Sequence, residues 1–306
     1  MDRQNPLRLT RIRVYPLKGA GGCDLDETGL DAFGIPGDRR WMVAKPGGQF
    51  ISQRTHPRLC LVRPSPVGSD RGDPGPTPRE SDLTDGTHAD EIRFRLEAPG
   101  MDPLDLTHAP SDAWVDVQVH QDRFPALAGS DEGDRWFSDF LGEPCQLVFI
   151  PEKIHRPVDP EWAPGHRVSF ADGYPLHLTT EESLQDANRK LSRQTTMLRY
   201  RPNLVVAGGT PWEEDEWRVL EIGGIRVHLV KPCARCSVVT VDPGTGVRGR
   251  EPLRSLKGFR EAEGKVYFGQ NAVFEGNGRL RVGGDVHVLE TGSRRPRTDF
   301  RTRGLE

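Results

Sequence analysis

Seven short runs of apolar and β-branched residues in the last third of the chain constrain its fold more than any other feature. Each run spans four to six residues and is bounded by turn residues; the runs are 204–207, 219–222, 225–230, 237–241, 272–275, 279–282 and 286–289. Strands this short and this numerous favour an antiparallel β-barrel. Glycine and proline, with 34 and 26 of the 306 residues, agree with many turns and few long helices. We therefore predict a mainly β protein with a few short helices.

The first half of the chain holds further strand candidates. In residues 9–17, apolar Ile12 and Val14 alternate with Arg11 and Arg13, a pattern typical of a strand with one buried face. Other candidates are residues 41–44, 59–63, 92–96 and 115–119. These strands predict a first β unit, and we divide the chain into domains 1–125 and 126–306.

Two helices are predicted, one at the domain junction and one in the second half. Trp136, Phe137, Phe140 and Leu141 have helical spacing, and Gly142 is placed to end that helix. The second helix follows residues 176–180, where Thr179 and Glu182 match a capping box, and Leu184, Ala187 and Leu191 form its apolar face.

Two segments have little to bury. Residues 64–90 are mainly Gly, Pro, Ser and Asp, and we predict a mobile surface loop there. The basic tail, residues 292–306, has no apolar pattern and is predicted to be a frayed terminus.

The charge balance argues against polyanionic partners. Net charge is −3, with 42 Lys and Arg against 45 Asp and Glu, so we expect neither nucleic acid nor membrane binding. No run approaches the ~18 apolar residues of a membrane helix, and the N-terminus lacks the apolar stretch of a signal peptide. We expect a cytoplasmic protein.

The close cysteine pair Cys233 and Cys236 is the segment that most suggests chemistry. The other three cysteines are dispersed, which argues against a disulfide scaffold. Four interpretations remain open. They are a zinc site, which needs four ligands; a dithiol redox switch; a single thiolate that binds a soft metal centre near Lys231 and Arg235; and inert buried thiols.

Six motifs, in order, resemble the MOSC-domain proteins, named after the C-terminal domain of molybdenum cofactor sulfurases. They are VYPLKG at 14–19, GDRRWMV at 37–43, FADGYPLHLTTEESL at 170–184, RPNLVV at 201–206, PCARCSVVTVDPGTG at 232–246 and YFGQNAVFE at 267–275. The first two resemble the N-terminal β-barrel domain that precedes MOSC domains. Chains with both parts resemble the mitochondrial amidoxime-reducing components and their bacterial hydroxylaminopurine-resistance relatives.

The resemblance implies a function and a cofactor. It implies a molybdenum–pyranopterin cofactor and reduction of N-hydroxylated compounds, namely hydroxylamines, amidoximes or N-hydroxy bases. The dispersed cysteines do not match the C-x4-C-x2-C pattern of a ferredoxin, so we expect a separate electron donor: a ferredoxin, flavin reductase or cytochrome. The alternative is a non-catalytic protein that carries the cofactor, or persulfide sulfur, on Cys236.

The resemblance also assigns site residues. It implies that Cys236, the second cysteine of the C-x-R-C motif, is the molybdenum ligand and that Cys233 has a supporting role. Gly19 stands where relatives often have serine, and Asn271 where the animal enzymes carry tyrosine. The implied cofactor-binding residues are Lys18, Gly19, Arg39, Asp172, Thr180, Arg201, Asn203 and Asn271.

Overall fold

The computed structural model describes residues 6–67, 93–106 and 112–292. The helices and strands in these ranges are β1 (Arg8–Val14), β2 (Cys23–Leu25), β3 (Glu27–Thr28), β4 (Trp41–Ala44), β5 (Arg63–Pro66), β6 (Phe94–Glu97), β7 (Leu104–Leu106), β8 (Trp114–Val119), β9 (Asp122–Ala128), α1 (Asp131–Leu141), β10 (Gln146–Phe149), β11 (Leu176–Thr180), α2 (Glu181–Lys190), β12 (Leu204–Ala207), β13 (Trp217–Ile222), β14 (Ile225–Arg235), α3 (Leu253–Arg260), β15 (Glu261–Ala262), β16 (Lys265–Glu275), β17 (Leu280–Arg281) and β18 (Val286–Thr291). The prediction of a mainly β protein with few helices is confirmed. None of the described helices has the length and apolar character needed to span a membrane.

The largest sheet combines strands from both ends of the chain. Its order is β18-β13-β14-β16-β11-β12-β1-β2, with β15 added beside β16. β11 and β12 are parallel, and the other neighbours are antiparallel. The described strands form no closed barrel. β1 and β2 therefore belong to the same sheet as β14, the strand that carries Cys233.

Smaller sheets complete the architecture. β4-β10-β9-β8 form a four-stranded sheet, β5-β6-β7 a three-stranded one, and β17 pairs with β3. β9 spans residue 125, where the sequence analysis divides the chain, and the two-domain division stays a prediction.

The main core lies against the inner face of the large sheet. Leu9, Ile12 and Val14 of β1 have no exposed surface and belong to one cluster with Leu204 and Val206 of β12. The alternation in residues 9–17 therefore has the predicted cause, burial of one face of the strand.

The two predicted helices form, with one change at a cap. Ser130 caps α1 by accepting the Gly133 N–H, and Gly142 ends it with φ 75°, as predicted. The capping box at Thr179 is wrong by one residue, because Thr180 is the N-cap of α2. Glu182 instead accepts the backbone N–H of Gly208 at 2.8 Å, a contact across the fold.

Two predicted strands are short 3-10 helices. Residues 59–63 fall partly in the 3-10 helix Pro57–Leu61, which Pro57 begins because its fixed φ suits a first helical turn. Residues 237–241 form the 3-10 helix Ser237–Thr240, where the Val239 N–H donates to Cys236 O. β14 instead continues through Arg235, so Cys233 lies within the strand and Cys236 follows its end.

The predicted loop 64–90 and the tail 292–306 fall mostly outside the described residues. Only positions 64–67 and 292 of these segments are described, and residues 64–66 belong to β5.

Candidate functional site

Three adjacent strands hold the backbone of the candidate site in line. The Arg13 N–H of β1 donates to Asn203 O, and the Asn203 N–H donates to His177 O, both at 2.8 Å. Tyr15 and Lys18 follow β1, and Asn203 immediately precedes β12. The register of the sheet thus brings together motifs that are more than 150 positions apart in the sequence.

The Cys236 thiol lies at one edge of this region against an arginine that the sequence analysis missed. Cys236 is half-buried, and the hydrogen bond between the Arg54 guanidinium and Cys236 raises the pKa of Arg54. Arg248 donates to the carbonyl oxygens of both Gln53 and Arg54, which fixes the loop that carries Arg54. Arg54 could not be identified from the sequence, because its position beside Cys236 depends on contacts between its loop and the second half of the chain.

Cys233 has a different environment. Arg235 Nη1 donates to Cys233 Sγ at 2.9 Å, and Arg235 Nη2 donates to Tyr200 O at 2.8 Å. Burial raises the pKa of the Cys233 thiol, and the Arg235 charge opposes that shift. Among the described residues, no three His, Cys, Asp or Glu side chains group as a metal site, so the zinc interpretation finds no ligand set there.

Lys18 and Asp172 form the ionic centre of the site. Lys18 is 7% exposed, and its Nζ donates to Asp172 Oδ1 at 2.5 Å and to Phe170 O at 2.8 Å. Burial lowers the pKa of Lys18, and Asp172 opposes that shift. Although nearby protein atoms disfavour charge on Asp172, Lys18 and His120 hold the pKa of that carboxyl well below its usual range. Its side chain is nevertheless 67% exposed, so a bound molecule can reach it.

Arg39 and Arg201 both stack on the ring of Tyr15. Their guanidinium carbons lie 4.6 and 4.3 Å from the ring centroid. Both residues have positive φ, 49° and 56°, which is uncommon for residues with side chains and marks functional geometry in many proteins. Asp38 pairs with Arg39, whereas Arg201 has no acidic partner within ion-pair distance in the described ranges. Burial lowers the pKa of Arg201 to about 10, and repulsion from Arg39 adds to the shift.

Asn203 forms hydrogen bonds with several of the residues around Arg39. It has no exposed surface. Its amide donates to Arg13 O and Asp38 Oδ1, both at 3.1 Å, and its Oδ1 accepts from Arg39 Nη1 at 3.0 Å and from the His177 N–H at 3.2 Å. All of these bonds are made inside the protein, and one of them joins Asn203 to Arg39.

The backbone conformation at residue 19 favours glycine. Its φ is 85°, and a Cβ there would lie 2.6 Å from Leu59 Cδ2. Its carbonyl accepts a hydrogen bond from Gln53 Nε2, so it links β1 to the Arg54 loop.

Thr180 faces a carboxyl group of the protein itself, that of Glu214. Its Oγ1 lies 3.0 Å from Oε2 of buried Glu214, and Ser183 Oγ donates to the same oxygen at 2.8 Å. The N-terminus of α2 therefore already holds a carboxyl group, and this position is separate from the ionic centre at Lys18.

Asn271 lies on β16 between the two strands that flank the site. It pairs with His177 of β11 and with Lys231 of β14, and its side chain is half-buried. Burial lowers the pKa of His177 to about 3, and the Arg235 charge adds to that shift, so this imidazole is neutral at physiological pH.

Arg156 is a second residue that the sequence analysis missed. It is 3% exposed, and its Nη1 donates to Ser169 O at 2.7 Å and Ala171 O at 2.6 Å. These bonds fix the loop that ends in Asp172. No sequence motif identified Arg156, because its role depends on backbone carbonyls brought near it by the fold.

Comparison with known proteins identifies both parts of the chain. Residues 7–144 match the MOSC N-terminal beta barrel domain, and residues 165–287 match the MOSC domain. The chain is 32% identical to mitochondrial amidoxime reducing component 2 of Rattus norvegicus, over 92% of this chain and 83% of that protein. It is 29% identical to mitochondrial amidoxime-reducing component 1 of Homo sapiens, over 92% and 82%. Identity to the molybdenum cofactor sulfurase of Solanum lycopersicum is 27%, over 91% of this chain and 35% of that protein.

Proposed function

Because the chain belongs to the MOSC-domain family that includes the mitochondrial amidoxime-reducing components, we propose that it is a molybdenum cofactor-dependent oxidoreductase. Its substrates would be N-hydroxylated compounds: hydroxylamines, amidoximes or N-hydroxy bases. The observation that carries the proposal is the half-buried Cys236 thiol beside Arg54, whose pKa is also raised by the charge of Asp172, the ion-pair partner of Lys18.

The residues present fit such a cofactor at both ends. The metal end needs one protein sulfur, and Cys236 provides a thiol that the Arg54 guanidinium contacts. The anionic end needs fixed positive charge, which Arg201 provides without an acidic partner in the described residues. Asp172 and the half-buried Asn271 offer acceptors and donors for the polar edges of a pterin. When bound, the cofactor would supply the two-electron redox centre.

The supporting residues have separate roles in this proposal. Lys18 holds the Asp172 carboxylate through its 2.5 Å contact, Asn203 orients Arg39, and Gly19 permits the backbone turn beside the Arg54 loop. Thr180 acts indirectly by starting α2, since its hydroxyl is committed to Ser183 and Glu214.

The reaction consumes two electrons and two protons, converting R–NH–OH to R–NH2 and water. His120 Nε2 lies 3.2 Å from Asp172 Oδ1, and the His120 side chain is 35% exposed, so this imidazole, rather than the Asp172 carboxylate, is placed to deliver a proton from solvent. The electrons would come from a separate ferredoxin, flavin reductase or cytochrome.

Metal analysis of matched variants tests this proposal. The parent, Cys236→Ala and Cys233→Ala proteins are purified from a host that makes the cofactor and analysed for molybdenum and oxidised pterin. We expect about one molybdenum per parent chain, a large loss in Cys236→Ala and retention in Cys233→Ala, with N-hydroxylamine reduction following the metal. Parent protein without molybdenum or pterin would contradict the proposal.

A second candidate function is supported by the match to a molybdenum cofactor sulfurase. In this alternative, Cys236 carries a persulfide or the cofactor for delivery to another enzyme. Mass spectrometry of the purified protein distinguishes the two. A persulfide of 32 Da on Cys236, without N-reductive activity in molybdenum-loaded protein, favours the carrier.

A further inference from the structure

A strongly basic surface is formed by the C-terminal half of α2, by α3 and by the residues that flank them. Residues 185–199 and 247–261 together hold nine Lys and Arg against three Asp and Glu, a net charge of +6, whereas the whole chain carries −3. The rest of the chain is therefore acidic. Six exposed side chains of these two segments form what we call the basic face: Arg189, Lys190, Arg193, Arg250, Arg254 and Lys257.

Contacts between the two segments bring their basic residues onto one surface. Ser192 Oγ, just after α2, donates to Glu251 Oε1 at 3.2 Å, just before α3. Lys190 Nζ of α2 lies 4.8 Å from the ring centroid of Phe259 in α3. The end of α2 therefore lies against α3, although the two helices are separated by more than 60 positions in the sequence.

Half of the basic face has no acidic partner. Three of its six residues form ion pairs with Asp186 or Glu261, which belong to the same two segments. The other three, Arg193, Arg250 and Arg254, form no ion pair within the part of the chain that the structure describes, and all three are exposed. The Arg254 N–H donates to Arg250 O at 3.0 Å, so these two residues lie about one helical turn apart. The face therefore keeps three positive charges that another molecule can reach.

The basic face is connected to the Cys236 thiol by two routes. The 3-10 helix that follows Cys236 contributes Val239 to the same buried cluster as Leu256 of α3. Arg248, in the segment that leads into α3, donates to Arg54 O, and the Arg54 side chain contacts Cys236. A partner bound at the basic face would therefore lie close to the candidate site.

We propose that the basic face docks a small acidic electron-carrier protein. The inference rests on the proposed function, which needs a separate donor, and it adds where that donor binds and which charge it carries. The reduced carrier is oxidised, and two electrons in total, with two protons from solvent, convert R–NH–OH to R–NH2 and water. Opposite charge steers such a partner to its docking surface. A long polyanion fits less well, because the acidic remainder of this chain repels it.

Calorimetric titration of the protein with acidic carriers tests the docking surface. A plant-type ferredoxin, a flavodoxin and an acidic soluble cytochrome are each titrated at low ionic strength into cofactor-free protein. The triple variant Arg193→Gln, Arg250→Gln, Arg254→Gln removes the three unpaired charges of the basic face. These side chains are exposed, so the changes should leave the fold intact.

A matched triple variant controls for the loss of charge. Arg123→Gln, Arg135→Gln, Arg226→Gln removes three arginines of β9, α1 and β14 that are also exposed and have no ion pair in the described ranges. We expect the parent to bind at least one carrier, with Kd raised about tenfold in the basic-face variant and little changed in the control. Binding to the parent should weaken as salt is added. No binding of any of the three carriers, or equal Kd values in the two variants, overturns the proposal.

The same proteins are titrated with a short DNA duplex and with vesicles of phosphatidylcholine and phosphatidylserine. If either binds the parent more tightly than every carrier does, and the basic-face variant loses that binding, the face belongs to a nucleic acid or an anionic membrane and the proposal is overturned.

The outcomes also separate this inference from the proposed function. A chain that binds a carrier at the basic face but holds no molybdenum contradicts only the proposed function. A chain that contains molybdenum and reduces N-hydroxylated compounds with a chemical reductant, but binds no carrier, contradicts only the docking surface.

Discussion

The buried carboxyl group of Glu214 should make the stability of this protein fall as pH rises. Glu214 has no exposed surface. Among the described residues, its Oε1 has no hydrogen-bond partner, and its Oε2 lies within hydrogen-bond distance of the Thr180 and Ser183 hydroxyls. Burial, reinforced by the charge of Asp215, raises the pKa of Glu214 from 4.5 to about 7.

The shift sets the sign and the size of the effect. Between pH 4.5 and about 7 the folded protein keeps a proton on Glu214 that the unfolded chain releases. The contribution of Glu214 to the free energy of unfolding is therefore full below pH 4.5 and is lost as pH rises through about 7. The difference corresponds to about 3 kcal/mol. For 306 residues, an unfolding entropy of roughly 2 cal/mol/K per residue converts this into about 5 °C in Tm.

Glu214→Gln removes the titrating group while keeping its shape, so the variant should lose this part of the pH dependence. Unfolding in urea, followed by circular dichroism at pH 5 and pH 8, measures the difference between parent and variant. Between pH 5 and pH 8, we expect the free energy of unfolding of the variant to rise by about 2–3 kcal/mol relative to that of the parent. Glu216→Gln, an exposed change of the same charge two positions away, is the control. Parallel pH profiles for the parent and Glu214→Gln would refute the reasoning.

Two further predictions concern the framework of the site. Gly19→Ala should destabilise the fold by about 1–3 kcal/mol and reduce molybdenum content, because the φ of 85° and the 2.6 Å approach to Leu59 leave no room for Cβ. Thermal unfolding measures the stability, and metal analysis measures the molybdenum content. A variant as stable as the parent contradicts the strain argument. Arg156→Gln should cost about 3 kcal/mol in urea unfolding because it leaves buried carbonyls unpaired. The exposed neighbour change Arg123→Gln should cost little, and equal losses in both variants would show that Arg156 is not specifically required.

Local signals in the sequence predict much of the secondary structure. The alternation around Ile12 and Val14 and the stop at Gly142 depend on a few neighbouring residues, so their strand and helix are predicted correctly. The predicted capping box at Thr179 does not form. Glu182 instead accepts a hydrogen bond from the Gly208 N–H, which is distant in sequence. Residues 237–241 have strand composition but turn back from the end of β14, which local pattern cannot reveal.

The candidate site was also predictable only in part. The sequence motifs identify five candidate residues of suitable chemistry: Lys18, Arg39, Asp172, Arg201 and Cys236. Their contacts depend on strand register and loop packing: Lys18 with Asp172, and Cys236 with Arg54.

The amino-acid sequence by itself determined the strand-rich character of this protein, its family and the thiol that most suggests chemistry, because periodicity and short motifs are local properties. Only the tertiary structure decided that the two halves share one sheet, that Glu214 lies at the N-terminus of α2, and that Arg201 has no acidic partner among the described residues. The reason is that burial and charge pairing depend on groups that are far apart in the chain and meet only when it folds.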